Sequence, residues 1–146
     1  MVTESDVVSA ARKFLGVKFA HQGRSVAGLD CLGLLLVSAA EEGLTFDGSH
    51  ISTIDVPNYP TRPDTVFLCT QLERFLVRVN DARMADVALL EIDGAPQHLA
   101  ILSDYPAAGE LGMIHAYAVS RKVVEHRYDE HWQKATRQIY RLPQLV

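Results

Sequence analysis

The chain has 146 residues, enough for one domain, residues 1–146, built on one core. Hydrophobic residues make up 48% of it, charged residues 22%, and the formal charge is −4, as in an ordinary globular protein. With no basic run to track phosphates, that balance argues against nucleic acid as the partner.

Two cysteines, Cys31 and Cys69, are too few for the disulfide framework of a small secreted domain, so both read as free thiols. The opening MVTESDVVSAARKF carries acids and no long apolar stretch, unlike a signal peptide. The expectation is a protein that is cytoplasmic as synthesised. The apolar run over residues 34–37 is far too short for membrane insertion.

In chain order, Thr3 and Asp6 have capping-box spacing, and Val7, Val8, Ala11, Phe14 and Leu15 recur at helical intervals. This predicts a helix over 4–15, stopped at Gly16. Residues 17–29 read as irregular. Asp30 then stands where an N-cap belongs, opening a second helix over 31–42 that Gly43 ends. Residues 44–63, with Gly48, Pro57, Pro60 and Pro63, read as a loop that includes His50. Pro63 suits the first position of a third helix over 64–79. After Asp81 the period changes. Segments 86–92, 98–103, 113–119, 123–128 and 137–141 read as strands. Helices first and strands second imply an α+β fold, helices packed on an antiparallel sheet.

Cys31 falls at the head of the second helix. It reads either as a small buried hydrophobe in CLGLLLV or as a nucleophile. The nucleophile reading has a physical motive. The helix dipole and unpaired backbone N–H groups lower a thiol pKa and can hold an oxyanion. Cys69, mid-helix among apolar neighbours, reads as structural. His98 opens HLAIL, apolar on both faces and so a central strand. It either caps the sheet edge or takes the Cys31 proton. His115, in MIHAYAV, can lie beside His98 if the two strands are antiparallel neighbours, and can orient it as a triad's third member. His21, in the loop before Cys31, is placed to line a cleft. His126 and His131 sit near Glu125, Asp129 and Glu130, but their spacing fits no strong metal-ligand pattern, so no metal is expected. No Gly-rich phosphate loop or GxSxG motif is present.

Three segments, GVKFAHQGRSVAGLDCLGLLL, ADVALLEIDGAPQHLAIL and GMIHAYAV, together resemble the NlpC/p-sixty cell-wall cysteine peptidases, a papain-like superfamily. The closing VVEHRYDEHWQKATRQIYRLP is similar to the branch found in phage tails and gene-transfer particles. The resemblance implies a papain-like fold and hydrolysis of an amide in murein stem peptides, with no cofactor. It matches Cys31 to the nucleophile, His98 to the base and His115 to the orienting residue. It sets Asp30, Phe19 and His21 beside the substrate. Phage-tail proteins become expected partners. Three positions depart from the family pattern. Leu32 stands for a usual Ser, Phe19 for a usual Tyr, and Ala85 for a usual Gly. Two other functions remain in view: a tail-assembly protein that keeps the fold without the chemistry, and a papain-like amidase or thioesterase on another substrate.

Overall fold

The computed structural model describes residues 1–46, 49–50, 65–143 and 145. Helix α1 is Glu4–Arg12. The capping box predicted for it is formed. The Thr3 hydroxyl accepts the Asp6 N–H at 3.1 Å, and the Asp6 carboxylate accepts the Thr3 N–H at 2.9 Å. Strands β1, Arg24–Ser25, and β2, Gly28–Leu29, make a short hairpin within the stretch read as irregular. Helix α2, Cys31–Glu41, follows at once. Strands β3, Thr45–Phe46, and β4, Ser49–His50, pair in the segment read as a loop, so His50 lies on a strand. Helix α3 is Thr65–Phe75. The proposed start at Pro63 and Asp64 lies outside the described residues.

A correction falls at the end of α3. Its helical pattern was expected to run to Val79, but β5, Val77–Val79, leaves the helix to pair with the last strand. Two β-branched residues gain an antiparallel partner there, and that outweighs a helical repeat.

The main sheet is antiparallel throughout. Its further strands are β6, Val87–Ile92; β7, Ala95–Ser103; β8, Gly112–Tyr117; β9, Lys122–Arg127; and β10, Thr136–Arg141. They run in the order β5-β10-β6-β7-β8-β9. Asp93 and Gly94, both at positive φ, turn β6 into β7, the dipeptide a tight hairpin favours. Between β9 and β10 lies a short helix, α4, Glu130–Ala135, capped by Asp129. The sequence pattern left these residues between two strands without showing a helix.

Strand alternation divides the core in two. On one face Val87, Leu89, Leu99, Ile101, Ile114, Ala116, Val123 and Tyr140 meet Val7, Val8, Leu34, Leu35 and Leu72 from the helices. On the other, Ala88, Leu90, Ala100, Leu102, Met113 and Ile139 lie under Trp132 and Ala135 of α4. Strand β7 contributes to both faces, as its doubly apolar sequence required. Each fully buried leucine contributes ~2–3 kcal/mol of hydrophobic free energy.

Two arginines hold elements together by ion pairs. Arg12 reaches from α1 to Glu125 of β9 at 2.8 Å and to Asp104 at 2.7 Å. Arg141 grips buried Asp86 with two nitrogens, at 2.9 and 2.8 Å. The residue before Asp86 is Ala85, buried and at φ 74°. A Cβ in that region costs ~1–2 kcal/mol, which glycine would avoid. Ala85→Gly is expected to raise stability by ~1 kcal/mol in urea titration, despite the freedom glycine adds to the unfolded chain. An unchanged or lower midpoint would show that the site carries no strain.

Candidate active site

The loop before Cys31 lies flat on the first turn of α2, and Asp30 holds it there. As N-cap, Asp30 accepts the Gly33 N–H at 2.7 Å. Its carboxylate also accepts the Gln22 N–H at 2.8 Å and a bond from Arg24 Nη1 at 2.9 Å. Two glycines allow this approach. A Cβ on Gly33 would stand 2.0 Å from the Gly23 carbonyl oxygen, and one on Gly23 would stand 2.2 Å from that of Gly28. The Gly-rich stretch is therefore a packing requirement. Asp30 is 5% exposed and both its oxygens bind inside the protein. Any contact with a substrate would have to share them.

Asp30 takes the third N–H of the helix and leaves the first two to other partners. The N–H groups of Cys31, Leu32 and Leu99 favour the thiolate of Cys31 by hydrogen bonding. They do not prevail. Although Cys31 as a residue keeps some solvent contact, its thiol has interior surroundings. Burial, and then the Asp30 charge, push it up to about 12. This corrects the expectation of a thiol lowered by the helix terminus. The macrodipole acts over one turn at a worth of ~1 kcal/mol, and desolvation of a buried anion exceeds it. At rest Cys31 is a thiol. Alkylation of Cys31 by iodoacetamide is expected to stay slow below about pH 9, the range of an ordinary thiol. Fast labelling near pH 6 would show a thiolate already formed at rest.

His98 and His115 come together as neighbours on adjacent antiparallel strands. His98 Nε2 lies 2.7 Å from His115 Nδ1. His98 is 8% exposed and His115 0%. Burial holds His98 down at about 4. Burial, together with His98 and His126, holds His115 down at about 2. Both rings are neutral near pH 7. His98 shares the sheet face of Ala100 and Leu102, while Leu99, whose N–H serves the Cys31 sulfur, points to the helices. The Cys31 sulfur thus lies at the backbone of Leu99, the residue next to His98, and no hydrogen bond joins thiol and imidazole among the described contacts.

His126 extends the arrangement, and sequence reasoning missed it. His115 Nε2 lies 2.8 Å from His126 Nε2, and His126 Nδ1 lies 2.9 Å from the Arg127 carbonyl oxygen. The relation lies in the register of β8 with β9. Val124 is opposite His115 and Met113 is opposite His126, so the two histidines are diagonal neighbours on one face. Tyr117 stacks on His115 at 4.9 Å, and Trp132 of α4 sets its ring against both His115 and His126.

The other candidates are dispersed. Phe19 is half-buried against the helix-side core, and its N–H donates to the Arg121 carbonyl at 2.9 Å. His21 is exposed on the loop that Asp30 holds, and His131 stacks edge-on to Trp132. Cys69 sits partly buried on α3 against the main core. Among the described residues no three His, Cys, Asp or Glu side chains converge as a metal site requires.

A helix-borne cysteine beside an antiparallel sheet carrying paired histidines has the architecture of a papain-like α+β fold, and solved structures agree. The chain matches an NlpC/P60 family protein from Bacillus cereus ATCC 10987 at 19% identity and TM-score 0.67. That match covers 96% of this chain and 40% of the other, so the chain spans well under half of that protein. It matches the NlpC/p60 domain of peptidoglycan hydrolase SagA at 20% identity and TM-score 0.57, covering 94% and 97% of the two chains. An N-acetylmuramoyl-L-alanine amidase from Bacteroides uniformis ATCC 8492 matches at 12% identity and TM-score 0.68, covering 97% and 99%. No family model and no curated protein matches the chain. The fold is therefore the one seen in NlpC/P60 proteins.

Proposed function

We propose that the chain is a cysteine hydrolase that cleaves an amide bond in murein stem peptides, with Cys31 as nucleophile, His98 as general base and His115 as the residue that orients it. The observation that carries this reading is a helix-head thiol held by the backbone N–H groups of Leu99, Leu32 and Cys31, with a buried imidazole pair that starts at His98, the residue next to Leu99. The likeness to a peptidoglycan hydrolase domain supports the choice of murein.

The chemistry follows from the protonation states. Both partners are neutral at rest, so the proton leaves sulfur as sulfur attacks, and His98 receives it. The thiol and the ring must close on each other in the substrate complex. Hydrogen bonds of this kind commonly tighten only there. The N–H groups of Cys31 and Leu32 face the place where negative charge develops. His98 then protonates the leaving amine, and water, activated by His98, releases the acid from the thioester. Phe19 and His21 border the approach to Cys31 in sequence, and we assign them to substrate contact. Phage-tail association is part of the proposal and rests on the resemblance of the closing segment.

One observation favours a second bond. The amidase likeness covers nearly all of both chains, which suits cleavage between the glycan's lactyl group and the first alanine. Digestion of purified disaccharide-peptides and of glycan-free stem peptides separates the two readings. An endopeptidase splits both sets, and the amidase reading requires the glycan. If neither set is cleaved, and a simple amide or thioester is, murein is the wrong substrate.

A further inference from the structure

We propose that His126, anchored by the Arg127 carbonyl, sets the proton order of the whole histidine chain and so makes His98 Nδ1 the bare, proton-accepting nitrogen. This rests on the reading of His98 as the base.

A carbonyl oxygen only accepts, so the nitrogen 2.9 Å from it, His126 Nδ1, carries a proton. A neutral imidazole has one N–H, which leaves His126 Nε2 as an acceptor. Its partner at 2.8 Å, His115 Nε2, must then donate. His115 Nδ1 is consequently bare and accepts from His98 Nε2 at 2.7 Å. The last nitrogen, His98 Nδ1, is left unprotonated and is the one outside the chain. Each ring copies the polarity of the next, and the direction is imposed at the far end.

Two features protect the order. Burial keeps His98 and His115 neutral, so neither can donate from both nitrogens. Trp132 stands 5.3 Å from the His115 ring and 5.6 Å from that of His126, shielding their contact from competing water. Without His126, buried His115 Nε2 would have no acceptor among the described contacts. Either tautomer of His115 would then leave one nitrogen unmet, and the bias would be lost. His126 touches neither nucleophile nor base, so it is a positioning residue.

The test is long-range proton–nitrogen NMR of the histidine rings in the whole protein at pH 7.5, in wild type, His126→Phe and His126→Gln. The expected wild-type result is His98 with Nε2 protonated and Nδ1 bare. His126→Phe should give mixed tautomers at His98 and His115, and His126→Gln, which retains an acceptor, should restore the single form. On a cleaved muropeptide, His126→Phe should lower kcat about 10-fold or more with KM little changed. That falls short of the roughly 10⁴-fold that a fully wrong tautomer costs a triad. A wild-type His98 protonated on Nδ1 would overturn the proposal, as would tautomers unchanged in His126→Phe. The ring spectra need no substrate, so they stand apart from any failure to find murein cleavage.

Discussion

Replacing His98 with alanine is expected to lower kcat on a cleaved muropeptide by about 10⁴-fold, or ~5 kcal/mol in barrier height. Cys31→Ala should cost at least as much, and the double variant no more than the worse single one. The reason is the resting state. A thiol held up at about 12 cannot attack as a preformed thiolate, so sulfur is idle without a base to receive its proton. A base without the thiol has nothing to activate. Groups that act as one unit are strongly non-additive, and the shortfall from additivity is the measurement that tests their coupling. Losses that simply multiply would place the two residues in separate steps. His115→Asn is a milder case, because a side-chain amide can still accept from His98 Nε2.

The second large effect is on stability in acid. Burial lowers the pKa of His98 to about 4, and burial with the neighbouring His98 and His126 lowers that of His115 to about 2, while the unfolded chain titrates near 6.5. Below pH 6.5 the unfolded state binds protons that the folded state refuses. Stability linked to these groups is therefore complete above about pH 6.5 and is lost as pH falls. For His98 the fall from 6.5 to about 4 corresponds to roughly 3 kcal/mol by the time pH 4 is reached. His115 continues the loss below that. Urea midpoints at pH 7 and pH 4.5 should differ strongly in wild type and much less in a His98→Gln, His115→Gln double variant. Equal differences would mean that the histidines titrate normally in the folded chain.

What the sequence disclosed was mostly local. The Thr3–Asp6 box, the Asp30 cap and the two faces of β7 depend on neighbours a few residues away, and patterns of that range survive in a linear reading. The pairing of His98 with His115 could be anticipated because it needed only one assumption, antiparallel neighbours. His126 demanded the register of a further strand pair, which the sequence does not print. The sign of the Cys31 shift was missed for a similar reason. Helix position is visible in sequence, but the burial that overrides it arises only when distant parts of the chain pack around the thiol. Helix α3 was overextended because Val77 and Val79 fit both a helical face and a strand. Only the presence of β10 decides between them.

In the proposed reaction Cys31 forms a covalent bond with a murein peptide. The most direct test is to acid-quench the enzyme during turnover of purified muropeptides and map any acyl adduct by peptide mass spectrometry. The expected result is an acyl group on the peptide that contains Cys31, none on the one that contains Cys69, and no adduct in Cys31→Ala. Muropeptide cleavage that continues at the wild-type rate in Cys31→Ala, with neither thiol acylated, would contradict it.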